Sequence, residues 1–93
     1  MIAQQGDRLL VQGAVTLANV TAELAAGLAL LTRDGLIVDL GGVEEADSSA
    51  LSLLLEWQRA AKARGYTLRF ANMPANMQSF AKLYGVEELI PLA

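Results

Sequence analysis

Two short strand-like segments open the chain, Met1 to Gln5 and Arg8 to Val15, separated by Gly6-Asp7. A Gly-X pair suits a two-residue type II′ hairpin turn, because glycine accepts the positive φ of its first position. The period then changes. Val20, Leu24, Leu28 and Leu31 recur at helical spacing, with Asn19 placed to cap the start and Asp34-Gly35 placed to end the helix. Leu36-Ile37-Val38-Asp39-Leu40 is an apolar run of the kind found in strands covered on both faces. A loop is expected after it, beginning Gly41-Gly42-Val43 and ending at Asp47. The longest helix follows, from Ser48 to Arg64, with Gly65 at its C′ position. Tyr66 to Ala71 alternates as a strand does. Pro74 suits the first turn of a third helix, whose stripe is Met77, Phe80, Ala81 and Tyr84 and whose end is Gly85. Val86 to Leu92 has room for one short edge strand, capped by Pro91.

The order β-β-α-β-α-β-α, with room for a terminal β, predicts an α/β fold. It is a single mixed β-sheet with an N-terminal hairpin and parallel, right-handed crossovers, covered by about three helices. Ninety-three residues suffice for one domain, 1–93, with one modest core and no visible linker or repeat. At 54% hydrophobic and 18% charged the chain is apolar for its size, so the excess must be buried in its own core or against another protein. The apolar run from Leu24 to Leu31 is far short of the ~20 residues that span a bilayer. The N-terminus lacks the basic-then-apolar pattern of a signal peptide, and a soluble, cytoplasmic protein is expected.

Absence of cysteine and histidine excludes a disulfide framework, thiol chemistry and the usual zinc sites. A net charge of −3 with scattered basic residues argues against a nucleic-acid footprint. Asp39, Glu44, Glu45 and Asp47 are close in sequence, yet a strand end and a solvated loop explain them, with no histidine, cysteine or lysine beside them. No Gly-rich Lys-Ser/Thr loop is present for nucleotide hydrolysis. The chain therefore reads as no enzyme, with no catalytic, cofactor-binding or metal-binding residue. Trp57 belongs in the core, its indole N–H needing a partner. Lys62, Arg64 and Lys82 read as helix-surface charges, and Arg8 and Arg69 as exposed strand positions.

What remains is the start of the long helix. Asp47, Ser48 and Ser49 are all good N-caps, and a cap alone is worth about 1 kcal/mol of stability. The same hydroxyls stand at the positive end of a helix dipole, where a phosphate or a partner's polar group is favoured. Behind them Ala50, Leu53, Leu54, Trp57 and Ala61 form one stripe, enough to cover a sheet, while Ser52, Glu56 and Arg59 make the polar face. Leu51 and Leu55 lie on a flank between the two. They either pack under a neighbouring helix or stay open for a partner.

Leu36 to Leu40, Gly41-Gly42-Val43 and Ala46-Asp47-Ser48-Ser49-Ala50-Leu51 together resemble the signature of STAS domains, found in sulfate transporters and anti-sigma factor antagonists. In that family a strand ending near Asp-Leu is followed by Asp-Ser-Ser-Gly-Leu at a helix start; Ala50 stands where the glycine is common. The run Ser79 to Val86 and the short length resemble the MlaB branch, small cytoplasmic subunits of the Mla phospholipid-transport ABC complex of Gram-negative bacteria. That resemblance implies a non-catalytic accessory subunit that binds and supports the ATPase subunit, MlaF, in a system maintaining outer-membrane lipid asymmetry. It would be cytoplasmic and peripheral to the inner membrane through its complex, and would meet its partner at the start of this same helix, where Ser48 is the matching hydroxyl. In this chain the expected contact is Asp47, Ser48 and Ser49, with the flanking Leu51 and Leu55 as apolar anchor area. The anti-sigma antagonist branch implies instead a phospho-switch, in which a serine kinase that is also the anti-sigma factor modifies Ser48. A phosphate at a helix N-terminus is tolerated by the domain, so its effect would fall on the complex.

Overall fold

The structure is a computed structural model covering all residues, Met1 to Ala93. Gly6 takes a φ of 60° while Asp7 does not have positive φ, so the chain reverses through a type II′ turn between β1 (Ile2–Gln5) and β2 (Arg8–Val15). The hairpin register pairs Gln5 with Arg8 and Ile2 with Val11. Next come α1 (Val20–Leu30), β3 (Leu36–Ala46), α2 (Ser48–Ala63), β4 (Leu68–Ala71) and α3 (Ala75–Leu83). The four strands form one sheet in sequence order, antiparallel between β1 and β2 and parallel thereafter.

Both crossovers step the same way across the sheet, so right-handed connections put α1 and α2 on the same face. Burial agrees. Leu9, Val11 and Val15 of β2, Leu36, Val38 and Leu40 of β3, and Leu68 and Phe70 of β4 are all buried, whereas the intervening Leu10, Ile37, Asp39 and Arg69 are not. The sequence pattern predicts β3 covered on both faces, and the structure corrects this: helices cover one face only. Ile37 and Leu10 make the outer face partly apolar, which is what lengthens the hydrophobic run.

A second correction concerns the expected loop after Leu40. It is strand. Because β2 is eight residues long, β3 continues beside it from the Arg8–Ile37 pair to the Val15–Ala46 pair, with two register shifts. Gly42 belongs to that strand for a steric reason. A Cβ there would lie 3.0 Å from Gln12 Cγ and 3.2 Å from the Val11 carbonyl oxygen. The expected C-terminal edge strand shrinks in turn to a 3₁₀ turn, Glu87–Leu89, and one bridge between Phe70 and Leu92. The Phe70 N–H donates to the Pro91 carbonyl at 2.9 Å and the Ala93 N–H to the Phe70 carbonyl at 2.8 Å, and nothing pairs beyond them.

The helices lock together through particular side chains. Trp57 of α2 packs so closely on α1 that a Cβ on Gly27 would fall 2.3 Å from its ring, and its indole N–H donates to the Leu24 carbonyl at 3.2 Å. Arg64, expected as a surface charge, caps the end of α1 by donating to the carbonyls of Leu28 (3.2 Å) and Leu31 (2.8 Å). Asn19 precedes α1 but does not cap it with its side chain. It braces the preceding turn instead, accepting from the Thr16 N–H at 2.9 Å and donating to the Ala14 carbonyl at 2.8 Å. No helix is long and apolar enough to cross a membrane.

Candidate functional site

Between the end of β3 and the start of α2 stands one residue, Asp47, in extended conformation. Its Oδ1 accepts from the Ser49 N–H at 2.9 Å and from the Ser49 hydroxyl, and its Oδ2 accepts from the Leu17 N–H at 3.0 Å. Three donors around one carboxylate favour its charged form, the Ser49 hydroxyl most of all, and hold the Asp47 carboxyl below its ordinary value. The polar trio therefore divides. Asp47 and Ser49 are engaged with each other as a helix cap, while the Ser48 hydroxyl is exposed and has no partner within the chain.

Leu51 is 3% exposed, a core residue whose side chain leaves a partner little surface. Leu55, one turn further on, is only partly buried and sits at the edge of the core. Both belong to a groove that opens at Ser48, with Leu51 in its lining, Ser52 and Leu55 along α2, and Tyr84 and Val86 opposite. A second depression carries on from Leu55, where Gln58, Arg59 and Lys62 face Glu88, Leu89 and Pro91. Ala50 is fully buried, so its methyl group fills core space at the position where glycine is common in the resembled family.

Tyr84 and Leu17 were not placed at this site by the sequence pattern. Tyr84 continues the α3 stripe, but the helix ends at Leu83, and beyond that point the tyrosine swings out to 57% exposure. Leu17 lies in the turn between β2 and α1, where no periodicity flags it. It is 78% exposed and tied by its backbone to Asp47.

The four carboxylates grouped in the sequence do not converge. Asp39 accepts from the Asn72 side chain (3.0 Å), the Gly41 N–H (2.9 Å) and Arg8 (2.9 Å), and these bonds, Asn72 foremost, hold its carboxyl below the ordinary value. Asn72 reaches it from a left-handed backbone conformation, φ 56°. Glu44 and Glu45 are exposed, and no three acidic side chains are placed to hold a metal ion.

A family model described as MlaB, STAS domain, matches residues 1–91. The chain belongs to the STAS domain family. This STAS domain superposes on a chain of the Acinetobacter MlaFEDB complex in its ATP-bound Vtrans1 conformation with a TM-score of 0.80 at 27% identity, each chain covered in full. It superposes on the anti-sigma factor antagonist SpoIIAA, in its unphosphorylated form, with a TM-score of 0.75 at 14% identity, covering 100% of this chain and 86% of that one. A putative anti-sigma factor antagonist from Thermotoga maritima gives 0.78 at 10% identity, covering 99% and 83%. The last two likenesses are of fold alone. Among curated proteins, none matches the sequence.

Proposed function

We propose that this STAS domain is a non-catalytic accessory subunit of an ABC-type phospholipid transporter, binding and supporting its MlaF-like ATPase subunit. It would act at the cytoplasmic side of the inner membrane, through its complex, in a system that maintains outer-membrane lipid asymmetry. The observation that carries this reading is the likeness to one chain of the MlaFEDB complex, at 27% identity and over the whole of both chains. The site suits docking better than chemistry. It offers a free hydroxyl at Ser48 and an apolar groove edge at Leu55 and Tyr84. Asp47 and Ser49 contribute by fixing the helix start, and Leu51 by shaping the groove from below.

The experiment is purification of the tagged native protein from its own cells. An ABC ATPase with its membrane subunits should co-purify. The Leu55→Asp variant should lose them while its circular dichroism and unfolding midpoint show a folded domain. Recovery of a serine kinase in place of the ATPase overturns the proposal, and undiminished recovery with Leu55→Asp removes Leu55 from the interface.

One observation favours the phospho-switch as a second reading: of the three polar residues at the helix start, only Ser48 has an unengaged, exposed hydroxyl. A phosphoryl group there would face the acidic Asp47 and add charge to a surface meant to be desolvated. Intact-mass measurement of the same purified sample should then show a species heavier by one phosphoryl group that Ser48→Ala abolishes. A single unmodified mass under every growth condition counts against it.

A further inference from the structure

The turn between β2 and α1 is built more firmly than its exposure requires. The Thr16 N–H donates to Asn19 Oδ1 and Asn19 Nδ2 to the Ala14 carbonyl, at 2.9 and 2.8 Å. The Leu17 N–H donates to Asp47 Oδ2 at 3.0 Å, and the Asp47 N–H closes on the Val15 carbonyl at 3.4 Å. At the crest of this braced turn stands Leu17, the most exposed of the large apolar side chains at 78%. A leucine held rigidly in water gains nothing for the fold. It is, however, preorganised to bury its side chain elsewhere with little ordering cost.

The Asp47 carboxylate joins this turn to the docking site. One oxygen caps α2, the other holds Leu17, and the next residue is Ser48, which opens the groove toward Leu55. The rim near this point carries Glu44, Glu45 and Asp47 and no basic residue from the same segment. A complementary surface would be an apolar pocket edged by basic groups.

We infer that Leu17 is an apolar anchor of the interface with the ATPase subunit, and that Asp47 is the positioning residue that holds it beside Ser48. The inference rests on the accessory-subunit reading, and it extends that interface to a second element of the chain. Asp47 need not touch the partner. Its second oxygen sets the position of the leucine, and its first keeps the helix start in place.

The test is a titration of the cognate MlaF-like ATPase subunit with purified wild type, Leu17→Ser, Asp47→Asn and the double variant, with Leu83→Ser as an equally exposed control on α3. Leu17→Ser should raise Kd about tenfold or more, the scale of burying one leucine, with the unfolding midpoint unchanged. Asparagine remains a good N-cap but presents an amide N–H₂ in place of one carboxylate oxygen, so Asp47→Asn keeps α2 capped and loosens Leu17. It too should weaken binding, and the double variant should bind no worse than Leu17→Ser alone, because Asp47 acts through the leucine. Leu83→Ser should bind as wild type does. If Leu17→Ser binds as tightly as wild type, the anchor is refuted while the accessory reading stands. Additive losses in the double variant refute the positioning role of Asp47. If wild type itself does not bind the ATPase, the accessory reading falls and the anchor falls with it.

Discussion

Two aspartates in this domain use both carboxylate oxygens inside the protein, Asp39 with Arg8, Asn72 and Gly41, and Asp47 with Leu17 and Ser49. Both therefore titrate below the ordinary value in the native state. The sign of the linkage follows. As pH falls past about 4 the unfolded chain takes up protons that the native carboxylates still refuse, so acid favours unfolding. The stabilisation is fully present above that pH and is gone once the lowered native values are passed. We predict that Asp39→Asn flattens the fall in stability below about pH 4 relative to wild type, because the replaced group no longer titrates. Asp47 keeps part of the slope. Urea unfolding at a series of acid pH values measures it, and an identical slope in the variant would sink the assignment to Asp39. At this scale the sequence was informative about type and silent about engagement. Asp47, Ser48 and Ser49 are three equivalent caps on paper, and Ser48 stands apart only because the other two satisfy each other in space.

Helix α1 accepts a glycine in its C-terminal half because α2 needs the room. The Trp57 ring occupies the space a Cβ would take on Gly27, so the helix-propensity loss of a glycine within a helix, about 1 kcal/mol, is offset by a closer approach of the two helices. Replacing Gly27 by alanine should restore the propensity and still destabilise the domain. Overpacking of about 1–3 kcal/mol outweighs the gain, and the indole bond to Leu24 would be strained as well. Chemical denaturation decides, and a raised midpoint would show that the helices separate freely. Elements with strong periodicity, α2 above all, were legible within a residue or two. The segment from Gly41 to Ala46 was not, since two glycines and two glutamates carry loop chemistry and only the length of β2 makes them strand. The C-terminal strand failed for the opposite reason. Its residues have the composition of an edge, but the 3₁₀ turn at Glu87–Leu89 uses up the chain before a ladder can form.

Across the whole molecule, the sheet has one covered face and one open one. Short apolar runs do not reveal this, because Ile37 and Leu10 look like core residues until the alternation with Val38 and Leu9 is placed on a register. The distinction has a measurable consequence. Val38→Ala should cost about 2–3 kcal/mol by leaving a cavity under the helices, whereas Ile37→Ala removes more atoms and should cost less, its side chain being partly solvated already. Comparison of the two variants by urea unfolding checks it, and an equal or greater loss at Ile37 would mean that the outer face is covered after all. Membership of the STAS family and the mixed sheet with helices were both readable from strand, loop and helix start together, since the residues that carry the signature are also those that end β3 and begin α2.

The passage from β3 to α2 through Asp47 alone bears on how force would travel through such a subunit. An eleven-residue strand at the sheet's interior runs without a slack segment into a sixteen-residue helix, and the proposed contact sits at the joint. A joint of that kind has no hinge to absorb displacement. A partner that moved during its own cycle would carry the domain along as a stiff body, tilting its central strand and longest helix together. The domain would serve as a brace or a spacer, and not as a spring.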